Sequence, residues 1–364
     1  MLLYLHIPFC HRVCPYCSFY KHTPGATPVG EFIDALLAEA RARLPGCPVA
    51  PRTLYLGGGT PSMLAPGMLR RLFRGLAECI DCGRLEEVTL EANPATFGLA
   101  KARLFRECGV TRVSLGIQSF SAEVLRALGR EHDPAQARAS VAVLRRAGIP
   151  EVNIDLMFSV PGQTADDWRA TLDETLALRP EHISAYNLTY EEDTAFFEAL
   201  RAGAVGTDED RDATMFQLAH EALTAAGYDH YETSNYARDG RFSRHNRGYW
   251  RGEDYLGLGP SAVSTVAGVR ETNVADTAAY ITMVRSLGRA AVSAESLDPA
   301  ARRIERIAMG LRTSEGIDLG WLEPEARLRA DHLVREGLAR IADGKFVLCG
   351  RGRALVDPIA AELV

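Results

Sequence analysis

Six short β-rich runs divide the first half of the chain, at residues 2–7, 53–56, 87–91, 112–117, 151–158 and 182–188. An amphipathic Ala/Leu/Arg-rich stretch fills each gap, at 29–44, 68–79, 99–108, 135–147 and 166–177. Strands that alternate with helices pair in parallel, because each helix carries the chain back to the same end of the sheet. Six units, fewer than the eight of a closed TIM barrel, predict an open, partial (β/α)6 barrel. Gly109 and Gly148 stand just ahead of strands, where a helix ends on a left-handed glycine. With 364 residues, 47% hydrophobic and 24% charged, the chain has enough material for this α/β barrel and a smaller second domain.

The unusual residues collect at the C-terminal ends of the expected strands. Strand one runs into Cys10, Cys14 and Cys17; strand two ends in Gly57-Gly58-Gly59-Thr60-Pro61; strand three ends in Glu91-Ala92-Asn93-Pro94. Strand four ends in Gln118-Ser119-Phe120, Asp155 lies on strand five, and Tyr186-Asn187 lie on strand six. Polar residues at that end of barrel strands read as an active site. The cysteine spacing C-x3-C-x2-C suits three irons of a [4Fe–4S] cube with the fourth left open, whereas an electron-transfer cluster takes four cysteines. Three cysteines cannot all pair with one another as disulfides, and no secretory segment precedes them. Zinc, with His6 or His11 as a fourth ligand, remains an alternative. Glycines let backbone approach a ligand closely, although a triple glycine alone also fits a tight turn. Glu91 and Asp155 can accept from ribose hydroxyls or an ammonium, and Gln118 can donate and accept. Arg130 suits a ligand carboxylate or a surface ion pair.

Bulk properties remove several function classes. No run approaches the ~18 apolar residues of a membrane span. The net charge of −6 and the lack of a basic stripe argue against nucleic acid. The eight cysteines then read as metal ligands or inert thiols in a reducing cytoplasm. Cys79 and Cys82 form an isolated C-x2-C without a second pair, and Cys47, Cys108 and Cys349 read as small packed residues. The pairs Arg70-Arg71, Arg145-Arg146 and Arg302-Arg303 read as solvated helix faces.

The cysteine triad, with Tyr16 just before its third member, resembles the signature of radical SAM proteins, in which S-adenosylmethionine (SAM) chelates the open iron. LYLHIPFC, YLGGGTPS, LEANP, VSLGIQSF, LGREHD, NIDLMFSVPGQT and YLGLGPSA together resemble the oxygen-independent coproporphyrinogen III oxidase family over nearly the whole chain. That resemblance implies the radical SAM type of partial barrel. It also implies cluster ligands Cys10, Cys14 and Cys17, and SAM contacts at Tyr4, Tyr16, Gly58, Gly59, Thr60, Glu91, Gln118, Arg130 and Asp155. Thr189 and Val263 align in looser stretches.

The chain departs from the oxidases of that family in three places. Where they carry a further cysteine, this sequence has Phe19. Tyr4 comes almost at the start, without room for the oxidases' N-terminal extension. His245-Asn246-Arg247-Gly248-Tyr249-Trp250 forms an HNxxYW pattern that resembles the mark of the family's haem chaperone branch. Imidazole can ligate haem iron, and Tyr and Trp offer flat faces to a porphyrin. His245 is the expected axial ligand, with Asn246, Tyr249 and Trp250 beside it; the residues alone also fit a buried structural cluster.

The expected organisation is a barrel over 1–235, a connecting segment over 236–296 with the HNxxYW motif, and a small C-terminal α+β domain over 297–364. The last has helices at 299–311 and 323–336 and short runs at 338–341 and 345–348 flanking Asp343-Gly344, a hairpin signal within a winged-helix-like shape. The resemblance implies a haem chaperone that hands haem to a respiratory haem protein and draws on an electron donor, with peripheral membrane contact and a homodimer as further associations. Its alternative is radical oxidative decarboxylation of coproporphyrinogen III, in which the protein positions SAM and excludes water.

Overall fold

The six expected strands all form. In a computed structural model that describes residues 1–25 and 27–364, they are β1 (Leu2–Ile7), β2 (Thr53–Gly58), β3 (Glu87–Ala92), β4 (Arg112–Gln118), β5 (Glu151–Phe158) and β6 (His182–Asn187). They pair in parallel in chain order. Most of their side chains are buried on both faces, as parallel strands beneath crossover helices require. The covering helices are Val29–Arg43, Pro66–Ala77, Leu99–Glu107, Pro134–Arg146 and Ala165–Leu178. Local chemistry sets their starts: Asp133 and Thr164 each close a capping box, and Pro66 occupies the first turn. Leu69, Leu72, Phe73 and Leu76 give Pro66–Ala77 one buried stripe at helical spacing.

The sheet continues past both ends of this series. β7 (Asp229–Glu232) and β8 (Asn235–Ala237) add antiparallel strands beyond β6. On the other side, β9 (Tyr255–Leu258) lies parallel to β1, followed by antiparallel β10 (Val263–Val266), β11 (Val269–Asn273) and β12 (Ala291–Ser296). The whole forms a 12-stranded sheet in the order β12-β11-β10-β9-β1-β2-β3-β4-β5-β6-β8-β7. Residues 236–296, read above as a connector, thus contribute strands to the main sheet. Buried Glu39 ties them in: its carboxylate accepts from Gly259 N (3.0 Å), Asn273 Nδ2 (2.8 Å) and Tyr280 OH (2.8 Å).

The C-terminal residues have their own core, around Ile307, Leu311, Phe346 and Ile359. β13 (Ile317–Asp318), β14 (Ala339–Ala342) and β15 (Lys345–Leu348) form a three-stranded antiparallel sheet beside the helices Pro299–Leu311, Pro324–Arg335 and Val356–Leu363. Asp343 and Gly344 both take positive φ (52° and 74°) between β14 and β15, the turn that matches strand twist. Among the described residues no helix is long and apolar enough to cross a membrane.

Candidate cofactor site and a second cavity

β1 delivers the chain into the cysteine loop, whose base is closed by Cys10 N donating to His22 O (3.0 Å) and His22 N donating to Pro8 O (2.9 Å). Cys17 N donates to Cys14 O (3.3 Å), and Lys21 Nζ donates to Cys17 O. The three cysteines and Tyr16 line a cavity of about 440 Å³ at the C-terminal ends of the strands. Burial pushes the Cys10 and Cys17 thiols up, and neighbouring thiols add to the shift. Cluster iron supplies the positive charge that burial withholds, so this donor set fits a cluster. No group of three or more His, Cys, Asp or Glu side chains is arranged to hold a single metal ion among the described residues. A cube's thiolates bind separate irons and need no such convergence. His6, the candidate fourth zinc ligand, is buried with its ring committed to Tyr4 OH (3.1 Å) and Tyr20 O (2.7 Å).

The glycine run is stitched to that loop. Gly59 N donates to Ile7 O and Thr60 N to Phe9 O, each at 2.8 Å. A Cβ on Gly59 would stand 2.7 Å from both carbonyl oxygens, and one on Gly58 (φ 104°) would stand 2.5 Å from the His6 ring. These glycines therefore bring β2 against the exit of β1, so the turn and the close approach coincide. Glu91 completes the wall: it accepts from Tyr55 OH (2.8 Å) and Gly58 N (3.0 Å). Burial outweighs those bonds and raises its carboxyl to about 7, with Asp155 adding repulsion.

Across the cavity, Arg130 donates through Nη2 to Asn93 Oδ1 (2.6 Å) and Gly116 O (2.7 Å), and Nη1 lies 3.6 Å from Cys14 Sγ. Among the described residues its Nε is buried without a partner, so the arginine sits inside the barrel rather than in a surface ion pair. Gln118 holds a left-handed backbone (φ 69°), a strain tolerated where structure fixes a functional side chain. Asp155 accepts from Ser114 Oγ (2.9 Å) and Asn153 Nδ2 (2.7 Å), and burial raises its carboxyl.

The cavity wall unites Cys10, Cys14, Tyr16, Cys17, Gly58, Gly59, Thr60, Glu91, Gln118, Arg130, Asp155 and Thr189. Thr189 Oγ1 donates to Glu191 Oε1 (2.9 Å) at its exposed edge. Two of the expected SAM contacts lie off this wall. Tyr4 stands behind Tyr55, ring centroids 6.0 Å apart, and Val263 belongs to β10 beyond β9.

The HNxxYW residues lie at the other end of the strands, on the helix Arg244–Trp250. Glu87, the first residue of β3, accepts from the backbone N–H groups of Arg244 (2.9 Å) and His245 (3.0 Å). His245 is not offered as a free imidazole. It is 1% exposed, with Nδ1 2.8 Å from Thr53 Oγ1 and Nε2 3.3 Å from Tyr249 OH. Burial drives its pKa down to about 3. The axial-ligand expectation gives way to an inner position, because the ring packs under β2. From it a file of rings leads both ways: Tyr55 at 5.0 Å, Tyr249 at 5.0 Å, then Tyr255 at 4.8 Å from Tyr249. Asn246, Tyr249, Trp250 and Tyr255 face a second cavity of about 1040 Å³, which extends to the helix Pro299–Leu311. Phe19, 67% exposed, borders both cavities.

Residues 4–175 match the Radical SAM superfamily. The haem chaperone HemW of Lactococcus lactis is 33% identical over 99% of this chain and 94% of its own length. The HemW of Mycobacterium tuberculosis is 34% identical over 100% of this chain and 94% of its own. The chain belongs to the HemW family of radical SAM proteins. Coproporphyrinogen III oxidase (HemN) from Escherichia coli, itself a radical SAM enzyme, shares the fold with a TM-score of 0.86 and 25% identity, over 99% of this chain and 89% of that one.

Membership in a radical SAM family implies a [4Fe–4S] cluster and SAM, and the barrel cavity fits both. A cluster bound there would supply an electron to SAM. Cys10, Cys14 and Cys17 are the thiols on this wall that would hold such a cluster, and Glu91 and Arg130 are the charged groups beside them that would meet ligand groups of opposite charge. Sequence reasoning missed Tyr55, which joins Glu91 to the HNxxYW residues. Its one trace is an aromatic residue within the apolar run just before the glycines. The pair Arg302-Arg303, read as a solvated helix face, lines this cavity instead, and Arg306 beside it left no signal, because nothing in sequence places that helix beside the turn between β10 and β11.

Proposed function

We propose that this protein is a haem chaperone that binds haem in the second cavity and passes it to a respiratory haem protein, with cluster and SAM in the barrel. One observation carries the reading: the HNxxYW helix presents Asn246, Tyr249 and Trp250 to a cavity large enough for a tetrapyrrole. The names of the HemW relatives agree with it. His245 supports Tyr249 from behind and acts on haem through it. Residues 1–235 hold the cofactors, 236–296 supply the HNxxYW wall, and 297–364 close the cavity from the far side. The work takes place in the cytoplasm with an electron donor; a homodimer or a peripheral membrane contact would bring the carrier to its recipient.

A second reading, porphyrinogen decarboxylation, is favoured by the likeness to HemN. Phe19 stands where the oxidases carry their further cysteine, and it borders both cavities. The test is an anaerobic assay of cluster-reconstituted protein with SAM, a reductant and coproporphyrinogen III, alongside a haem titration. Stoichiometric haem uptake without protoporphyrinogen formation is expected. Porphyrinogen turnover would overturn the chaperone reading.

A further inference from the structure

The second cavity carries charge of its own that the HNxxYW residues do not explain. One wall is aromatic: Tyr249, Trp250 and Tyr255. Among the described residues the indole N–H of Trp250 is buried without a partner. The facing wall is the helix Pro299–Leu311, where Arg302, Arg306 and Met309 share one face at i, i+4 and i+7. Arg302 lies over Gly268 in the turn between β10 and β11, and its Nη1 would be 3.5 Å from a Cβ there. Arg306 lies over Gly252 and places its guanidinium 5.5 Å from the Trp321 ring centroid.

The other charges around the cavity are committed. Arg270 makes a two-pronged pair with Glu305 (2.6 and 2.9 Å), and Arg303 pairs with Glu323 (2.9 Å). Glu253 is held by Arg52 (2.8 Å), and Asp254 accepts from Ala267 N (2.9 Å). Among the described residues neither Arg302 nor Arg306 has a carboxylate within ion-pair distance. Two guanidiniums without an ion-pair partner among the described residues therefore line, with an aromatic wall, a space of about 1040 Å³. That pattern suits a flat apolar body carrying two carboxylates at one edge.

We propose that Arg302 and Arg306 anchor the two propionates of the tetrapyrrole, whose ring plane rests against Tyr249 and Trp250. Guanidinium binds carboxylate in a planar, charge-assisted geometry that suits this role. The assignment rests on the haem-chaperone reading and gives its site an orientation, propionates toward the C-terminal module and ring toward the HNxxYW helix.

The test compares haemin with its dimethyl ester, which keeps the ring and iron and lacks the charges. Each is titrated by absorbance into cluster-loaded wild-type protein, R302A/R306A and R302K/R306K. R302A/R306A should bind haemin about tenfold more weakly, as expected for loss of exposed charge-assisted contacts, and bind the ester as wild type does. R302K/R306K should keep most of the haemin affinity. Equal losses for haemin and ester, or no loss for either, would overturn the propionate assignment while leaving haem binding in place. A wild-type protein that takes up neither porphyrin would instead overturn the chaperone reading on which the assignment rests.

Discussion

The barrel cavity and the cavity beside Pro299–Leu311 are built by opposite means. In the first, backbone constraint does the positioning: Gly59 is pressed against residues 7–9, Gln118 is held left-handed, and Gly58 N fixes Glu91. In the second, long arginine side chains on the helix Pro299–Leu311 of the C-terminal core reach into the cavity that Tyr249, Trp250 and Tyr255 also line. The first arrangement is preorganised, so little ordering entropy is lost when a small cofactor binds. The second loses more on binding, because its long arginine side chains must be ordered around a ligand.

The two regions should separate most sharply at the cysteines. Cys14→Ser should abolish the cluster's ~400 nm absorbance and its iron content, as expected for a cube deprived of a thiolate. Haemin uptake should persist in the same preparation, since no residue of the second cavity is altered. Retained iron in that variant would contradict the ligand assignment.

Glu91 sharpens the difference through pH. SAM's cationic groups need the carboxylate ionised, so wild-type affinity should rise about tenfold between pH 6 and pH 8 as a group titrating at about 7 loses its proton. In the unliganded protein the sign reverses. Burial favours the acid form, so the stability it contributes below the ordinary carboxylate range is lost as pH rises through about 7. Glu91→Gln should weaken SAM binding tenfold or more, roughly the worth of one charged contact, and flatten the pH dependence. A pH profile identical to wild type would move the titrating group elsewhere. Haemin binding should not respond.

His245→Ala falls between the two regions, because the ring bridges Tyr55 and Tyr249. Loss of a buried ring that also satisfies Thr53 should cost on the order of 2–3 kcal/mol in thermal unfolding. Haemin affinity should drop a few-fold through Tyr249, with cluster absorbance intact. An unchanged melting temperature would show that the ring is not packed as described. The smallest effect belongs to Gly344→Ala: a side chain at φ 74° should cost about 1 kcal/mol and loosen only the C-terminal module. Loss of cluster or SAM binding in that variant would tie the module to the barrel more tightly than its separate core implies.

Much of the barrel was legible because parallel strands and crossover helices write their periods plainly. All six strands stand where the β-rich runs lie, and a capping box opens each of the helices Pro134–Arg146 and Ala165–Leu178. The short strands β7 to β12 were not legible. With three to six residues each, they are too short to carry a period that can be seen before their partners are known. The HNxxYW motif was legible as a pattern. The burial of His245 was not, since an imidazole reads the same in sequence whether it faces a ligand or Thr53.

The sequence by itself determined the order of strands and the cysteine spacing. It also placed polar residues at the ends of successive strands, because these depend on local period and on neighbours a few residues apart. Only the tertiary structure decided that Arg130 points inward, that Tyr55 links Glu91 to His245, and that Arg302 and Arg306 face Tyr249 and Trp250. Those relations join residues tens to hundreds of positions apart, and they exist only once the packing of the two cores has set the walls between which a ligand can lie.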